Sequence, residues 1–338
     1  MHRIRVLESF GNSRPTTNPY ITMLGESLEN TPELRLMRFS WKKALTANYD
    51  VIHFHWPEAL LDGSTWLRRR GKDLAFALLL LRIRLKKIAV VRTIHNLDLP
   101  QGLSLIRRQL VTKCDHMTTL RISINPTTPR ISGVAQRLIP HGHYCDWFAD
   151  MPRHEKIAGR IAFAGLIRRY KGVENLLTCF MQTANDYPEL SLSVTGKPSS
   201  TDLENVVRNA TSADNRISFS SGYVAEKSLV AAITEAELVV LPYQHMHNSG
   251  SALAALSVQR PVLVPRNETN ELLSLEVGAG WVYLYEGQLS AQDLTSTLAD
   301  LRRNPPAKAP DLSARDWSAA GKQHRDAFLE AQRIETQK

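Results

Sequence analysis

The sequence predicts an α/β protein made of two doubly wound parallel-sheet domains. Three observations lead there. The 338 residues, 43% apolar and 22% charged, have the size and composition of a soluble two-domain chain and exclude a disordered or collagenous one. Twelve short runs rich in β-branched residues alternate with longer stretches of helical spacing, the pattern of strand, crossover helix and parallel strand. A polar stretch with a proline, Asp150-Met-Pro-Arg-His-Glu-Lys, divides those runs six and six.

In the first half, strands are expected over residues 4–8, 34–39, 51–55, 88–94, 116–120 and 136–139. In the second half they are expected over 161–164, 190–194, 217–219, 238–241, 262–264 and 281–284. Residues 1–150 and 151–312 then form two Rossmann-like domains facing a central cleft, with function sought just after each strand. The Pro305-Pro-Ala-Lys-Ala-Pro segment leads into a last helix, 313–338, expected to pack back across the domains. The longest uncharged apolar run, 74–81, is too short for a bilayer span, and the N-terminus lacks the apolar core of a signal peptide. Cys114, Cys145 and Cys179 are too few and too scattered for a disulfide framework or a zinc cluster. A cytoplasmic protein is expected.

The charge is unevenly spread. Residues 1–150 hold 22 basic and 12 acidic side chains, whereas 151–338 hold 20 and 21. The densest part runs from Trp66-Leu-Arg-Arg-Arg-Gly-Lys to Arg82-Ile-Arg-Leu-Lys-Lys and brackets the apolar run. A basic face beside apolar surface suits an anionic membrane or a polyanion, and it equally suits the solvated side of a core helix. Nucleic acid is not the expected partner, because the cluster has neither interleaved aromatics nor a recognised module.

Two segments of the second half read as an anion cradle. The strand over 161–164 enters Gly165-Leu-Ile-Arg168-Arg169-Tyr170-Lys171-Gly172, a glycine followed by three cations just before a helix. Such a loop neutralises a diphosphate or forms a basic surface turn. The strand over 238–241 leads to Asn248-Ser249-Gly250-Ser251, small residues that cap a helix and leave amides for an anion. Neither a P-loop nor a Gly-x-Gly-x-x-Gly turn is present, which removes the ATPase and dinucleotide readings.

In the first half, His53-Phe-His55-Trp56-Pro57-Glu58, His95-Asn96-Leu-Asp98 and His141-Gly-His143 follow three strands. The histidines suit acid–base and substrate-orienting work. No two of them share a helix at i, i+4 spacing, so no metal site is expected.

Taken in order, the second-half segments resemble the donor-binding domain of GT-B glycosyltransferases. The matching residues are Gly165, Arg168, Lys171 and Gly172, then Gly196, Gly222-Tyr223-Val, Leu241-Pro-Tyr, the small-residue helix start, Arg260-Pro-Val and Glu271. The retaining members carry two glutamates where this chain has Met246 and Ala254, so the resemblance implies inversion. Together with Asn18-Pro19-Tyr20, the first-half motifs resemble bacterial exopolysaccharide transferases of the GDP-mannose:glycolipid 4-β-mannosyltransferase type. That likeness implies transfer from a nucleotide sugar, with GDP-mannose favoured over a UDP-sugar, to a lipid-linked saccharide at the inner face of the membrane.

Inverting transfer needs a base and a stabilised leaving group. Glu58 is the favoured base, His95 the second choice and Asp98 the third. Arg168, Lys171 and the helix start at Ser249–Ser251 hold the diphosphate without a metal or other cofactor. Gly165, Gly196, Tyr223, Asn248, Gly250 and Glu271 complete the expected donor site. Asn18, His55, Trp56, His141 and His143 are expected on the acceptor side, where Trp56 either stacks on a sugar or wedges its loop. Three alternatives share the architecture: an epimerase, which consumes a nucleotide sugar without an acceptor, a phosphorylase, and a non-catalytic nucleotide-sugar binder. A phosphorylase needs a pyridoxal-phosphate lysine, and none here has a recognisable context.

Overall fold

The computed structural model describes residues 3–14, 16–99, 102–222, 225–244 and 246–338. They form two units: Met1–Gly142 with Arg315–Lys338, and His143–Ala314. Unit 1 runs β1 (Ile4–Glu8), α1 (Pro19–Glu29), β2 (Leu34–Met37), α2 (Trp41–Thr46) and β3 (Val51–Phe54). It continues with α3 (Trp66–Leu85), β4 (Ala89–Ile94), α4 (Leu105–His116), β5 (Leu120–Ser123) and β6 (Ala135–Leu138). Unit 2 holds β7 (Arg160–Ala164), α5 (Val173–Met181), β8 (Ser191–Gly196), α6 (Thr201–Ala213), β9 (Ile217–Ser221) and α7 (Glu226–Glu235). Then come β10 (Leu238–Val240), α8 (Gly250–Ser257), β11 (Val262–Pro265), α9 (Glu268–Val277), β12 (Val282–Tyr285) and α10 (Ala291–Arg303). The last helix, α11 (Trp317–Thr336), belongs to unit 1. The divisions fall at Gly142 and Ala314, where the sequence reading set them at 150 and 312.

Each sheet has six parallel strands, in the orders β2-β1-β3-β4-β5-β6 and β12-β11-β10-β7-β8-β9. The winding reverses between β1 and β3 in one sheet and between β7 and β10 in the other. In such sheets ligands bind beyond the carboxyl ends of the strands at that reversal. Helices cover both faces, so the central strands are largely apolar: Val51, Ile52, Phe54, Val90 and Val91 are all buried, with His53 and Thr93 the buried polar residues among them. On one face of the unit 1 sheet, Leu7, Ile52 and Phe54 pack with Phe76, Leu79, Leu80 and Ile83 of α3 and with Val111 and Cys114 of α4.

α11 packs against α1 and the unit 1 sheet. Asp316 caps it, accepting from the Ser318 and Ala319 amides at 2.8 and 3.1 Å. At Gly321 a Cβ would lie 2.6 Å from Ser27 Oγ and 2.7 Å from Thr31 Oγ1, so only glycine lets α11 come this close to α1. Further along, Phe328 is buried against the His53 ring, centroids 5.3 Å apart.

One strand differs from expectation. Residues 116–120 were expected as a strand, but α4 continues to His116 and β5 begins at Leu120. Of the intervening β-branched threonines, Thr118 closes the end of α4, its Oγ1 donating to the Cys114 carbonyl at 3.3 Å. Thr119 ties the segment to β4 and α11, its Oγ1 accepting from the Val90 amide at 3.2 Å and donating to Glu335 at 2.9 Å. α3 carries two apolar faces. Asp73, Phe76, Leu79, Leu80 and Ile83 are buried, while Leu67, Leu74, Leu78, Leu81 and Leu85 are exposed. The exposed leucines recur at helical spacing and form one outward stripe opposite the buried side.

Candidate active site

In unit 2, four of the expected donor residues, Gly165, Lys171, Gly196 and Ser251, come together at the reversal point. Gly165 follows β7, and a single 3-10 turn, Arg169–Lys171, leads to Gly172 at the start of α5. Gly172 has φ +67°, and a Cβ there would overlap the Pro242 carbonyl oxygen after β10. A Cβ on Gly196, at the end of β8, would overlap the Gly165 carbonyl oxygen. These two glycines let three strand-end segments close on one another. At Gly165, the space a Cβ would take lies 3.2 Å from Ser251 Oγ and 3.8 Å from Lys171 Nζ. A bare backbone, a hydroxyl and an ammonium thus converge on one spot. Lys171 Nζ also lies 4.8 Å from the centroid of the Tyr243 ring, a cation–π contact that fixes its position.

Ser249 caps α8, its Oγ accepting from the Ala252 amide at 3.1 Å, with half-buried Asn248 and Gly250 beside it. The first amides of α8 lack partners within the helix, which suits an anion. The cations divide in two. Arg168 is exposed and makes no ion pair among the described residues, whereas Arg169 is held by Glu174 at 3.0 Å. Glu271 lies in the first turn of α9, paired with Arg266 at 2.8 Å. Met246 and Ala254 are both buried apolar side chains. Tyr223 lies outside the described residues.

In unit 1 the histidines gather at the ends of β1, β3 and β4. His55 Nδ1 is 3.0 Å from His95 Nε2, and Trp56 stacks on His95 with centroids 4.0 Å apart and planes 21° from parallel. Asn18 caps α1, accepting from the Tyr20 amide at 3.0 Å, and Tyr20 lies 4.5 Å from His141 and 5.3 Å from His95, ring to ring. Burial lowers His55 and His141 to about 4 and His95 well below its ordinary value, so the rings are neutral at physiological pH. His143 falls in unit 2, where its Nδ1 accepts from the Cys145 amide at 3.3 Å. Asp98 is exposed on the loop after β4.

Glu58 lies in a 3-10 turn, Pro57–Leu61, directly after Trp56. It lines a cavity of about 610 Å³ together with Trp56, Trp66, Arg69, Arg70 and Arg107. Desolvation raises its pKa above the ordinary carboxylate value, the direction that favours a general base. Two residues of this region went unnoticed in the sequence. Glu8 ends β1 fully buried with His53 Nδ1 at 3.0 Å, and His324 comes from α11 with its ring 5.7 Å from that of His53. No local motif marks either one.

A protein of Xanthomonas campestris pv. campestris named GDP-mannose:glycolipid 4-β-D-mannosyltransferase is 43% identical over 329 residues, covering 97% of this chain and 93% of that protein. The chain belongs to that mannosyltransferase family. It is an enzyme, a glycosyltransferase, and its fold is GT-B. Sucrose-phosphate synthase from Thermosynechococcus elongatus superposes with a TM-score of 0.58 at 15% identity, covering 99% of this chain and 97% of that one. Anabaena HepE in complex with UDP-glucose gives 0.59 at 12% identity, covering 99% of both chains. No family model matches the chain.

Proposed function

We propose that this glycosyltransferase moves mannose from GDP-mannose to a lipid-linked saccharide in exopolysaccharide synthesis, with inversion at the anomeric carbon. The observation that carries the donor side is the convergence of Gly165, Lys171 and Ser251 at the unit 2 reversal point. Lys171, Arg168 and the amides at the start of α8 take the charge of the leaving diphosphate, and no metal is assigned to that step. The donor base and the glycolipid acceptor follow the name of the 43%-identical relative.

On the acceptor side, the cavity beside Trp56 takes the saccharide and Glu58 acts as base. Its carboxylate accepts the proton of the attacking hydroxyl, whose oxygen bonds to C1 of mannose. The C1–O bond to the diphosphate breaks, and its electron pair leaves on the phosphate oxygen. Inversion needs no second carboxylate on the donor, which agrees with buried Met246 and Ala254 at the positions where retaining enzymes carry glutamates.

The acceptor reaches the enzyme at an anionic membrane surface on the cytoplasmic side. What supports this is the outward stripe of α3, where Leu67 and Leu85 are each 73% exposed, flanked by exposed Arg68, Arg70 and Arg84. On α4, Leu105 and Ile106 are exposed as well. No helix among the described residues is long and apolar enough to cross a membrane, and a basic face beside an apolar stripe suits peripheral attachment. Titration with GDP, UDP and GDP-mannose tests the donor reading. Tight GDP binding with weak UDP binding is expected, and the reverse order would assign a UDP-sugar donor.

A further inference from the structure

Beneath the carboxyl ends of β1 and β3 lies a cluster of buried side chains to which the proposed transfer assigns no step, and it includes His55, expected on the acceptor side but only 3% exposed. Glu8 and His53 are register partners on these neighbouring strands, and His55 follows two residues on, facing the same side. Glu8 Oε1 is 3.0 Å from His53 Nδ1, and Glu8 Oε2 is 3.4 Å from His55 Nε2. One donor atom from each of the three residues lies within 4.8 Å of the other two. We propose that Glu8, His53 and His55 bind a divalent transition-metal ion of the zinc class, with His324 of α11 as the adjacent fourth donor.

Four features carry the assignment. The first is distance. Ligands about 2.0–2.1 Å from a tetrahedral zinc ion stand about 3.3 Å apart, close to the two edges observed here. The second is unmet bonding. Glu8 Oε2 and His55 Nε2 are buried and face only each other, at 3.4 Å without good hydrogen-bond geometry, and His324 Nε2 is buried without a hydrogen-bond partner. Leaving such atoms unsatisfied is costly, and one cation between Glu8 and His55 satisfies both of theirs.

The third is the far side of each ring. His53 Nε2 lies 2.8 Å from Thr93 Oγ1, His55 Nδ1 3.0 Å from His95 Nε2, and His324 Nδ1 2.8 Å from the Ala320 carbonyl. Metal-bound histidines are held in this way, one nitrogen on the metal and the other hydrogen-bonded behind it. The fourth is charge: Glu8 is wholly buried among imidazoles that burial keeps neutral, with Arg38 the one cation acting on it. A dication would hold it as the carboxylate where burial alone favours the neutral acid. Two or three imidazoles with one carboxylate and no thiolate are a zinc-type donor set. Such an ion would clip α11 to the sheet and hold the strand end that leads to Glu58. Its ligands come from β1, β3 and α11, so no local spacing in the sequence announces it.

The test uses the full chain without a polyhistidine tag, grown with added zinc and purified without chelator. Elemental analysis should find about one equivalent of zinc per chain. Its removal by phenanthroline should lower Tm by several degrees, and added zinc should restore it. X-ray absorption should show nitrogen and oxygen ligands with histidine scattering. Glu8→Gln and His324→Gln should each retain at least tenfold less metal. Metal-free protein whose Tm does not respond to zinc, cobalt, nickel or manganese overturns the proposal. So does a sulfur-ligated ion, or a folded Glu8→Gln variant that holds its metal as tightly as the wild type. Should the variants not fold, the wild-type metal content, Tm response and ligand type decide alone.

Discussion

Three neighbouring cations after β7 should differ sharply in what they do, and alanine substitutions at Arg168, Arg169 and Lys171 separate them. Lys171 is half-buried and fixed over Tyr243, with its ammonium 3.8 Å from the Gly165 Cβ position. A cation about 4 Å from a phosphate charge is worth roughly 1 kcal/mol in bulk water and roughly 4 kcal/mol at an effective dielectric of 20. A half-buried lysine falls between these limits, in line with about 1.5–3 kcal/mol for a charge-assisted hydrogen bond. Lys171→Ala should therefore weaken GDP binding roughly 10- to 150-fold. Arg168→Ala should fall at the lower end, because its side chain is exposed and screened. Arg169→Ala should leave GDP binding unchanged, since its guanidinium is spent on Glu174 at the surface. Calorimetric titration with GDP at low and moderate salt measures all three, with the fold intact by circular dichroism. Wild-type affinity in Lys171→Ala, or a loss confined to Arg169→Ala, would refute the reasoning.

Glu58→Gln should keep GDP binding and lower kcat by about 10²–10⁴-fold. Because burial raises the Glu58 pKa and the base acts as the carboxylate, kcat/KM should rise with pH through that raised value. The acidic limb should vanish in the glutamine variant, and a retained limb would move the role to His95 or Asp98. Reversing the charge of Arg68, Arg69, Arg70 and Lys72 should abolish co-sedimentation with anionic vesicles, at about 1 kcal/mol per basic residue, while GDP binding persists. Leu74→Asp with Leu78→Asp should do the same through the apolar stripe, and undiminished sedimentation in both sets would exclude this face. Phe328→Ala should destabilise the chain by about 3–5 kcal/mol in denaturant unfolding, because its ring is fully buried against the unit 1 sheet. A loss below about 1 kcal/mol would mean that α11 is only loosely attached.

What could be read from the sequence was what the chain holds close together. The Gly165–Gly172 loop and the start of α8 each announce themselves within a few residues, as cations or small residues between a β-branched run and a helix. β5 was displaced because Thr118 and Thr119 have strand propensity, but Thr118 spends its hydroxyl on the end of α4 and Thr119 on β4 and Glu335. The apolar run of α3 was visible, but its division into a buried and an outward face was not. A helix apolar on two opposite sides has no single-faced periodicity to detect. Glu8 and His324 were invisible for a different reason. Each is an isolated residue, and only parallel pairing of β1 with β3 and the return of α11 carry them to His53. Arg169 was already set below Arg168 and Lys171 in the sequence, and Glu174, in the first turn of α5, is the partner that occupies it.

The most direct test of the account is incubation of the purified enzyme with GDP-mannose and a lipid-linked oligosaccharide in anionic vesicles, with NMR of the linkage formed. The account predicts acceptor-dependent release of GDP and a β-linked mannosyl product from the α-linked donor. An α-linked product, or consumption of GDP-mannose that is indifferent to the acceptor, would contradict it.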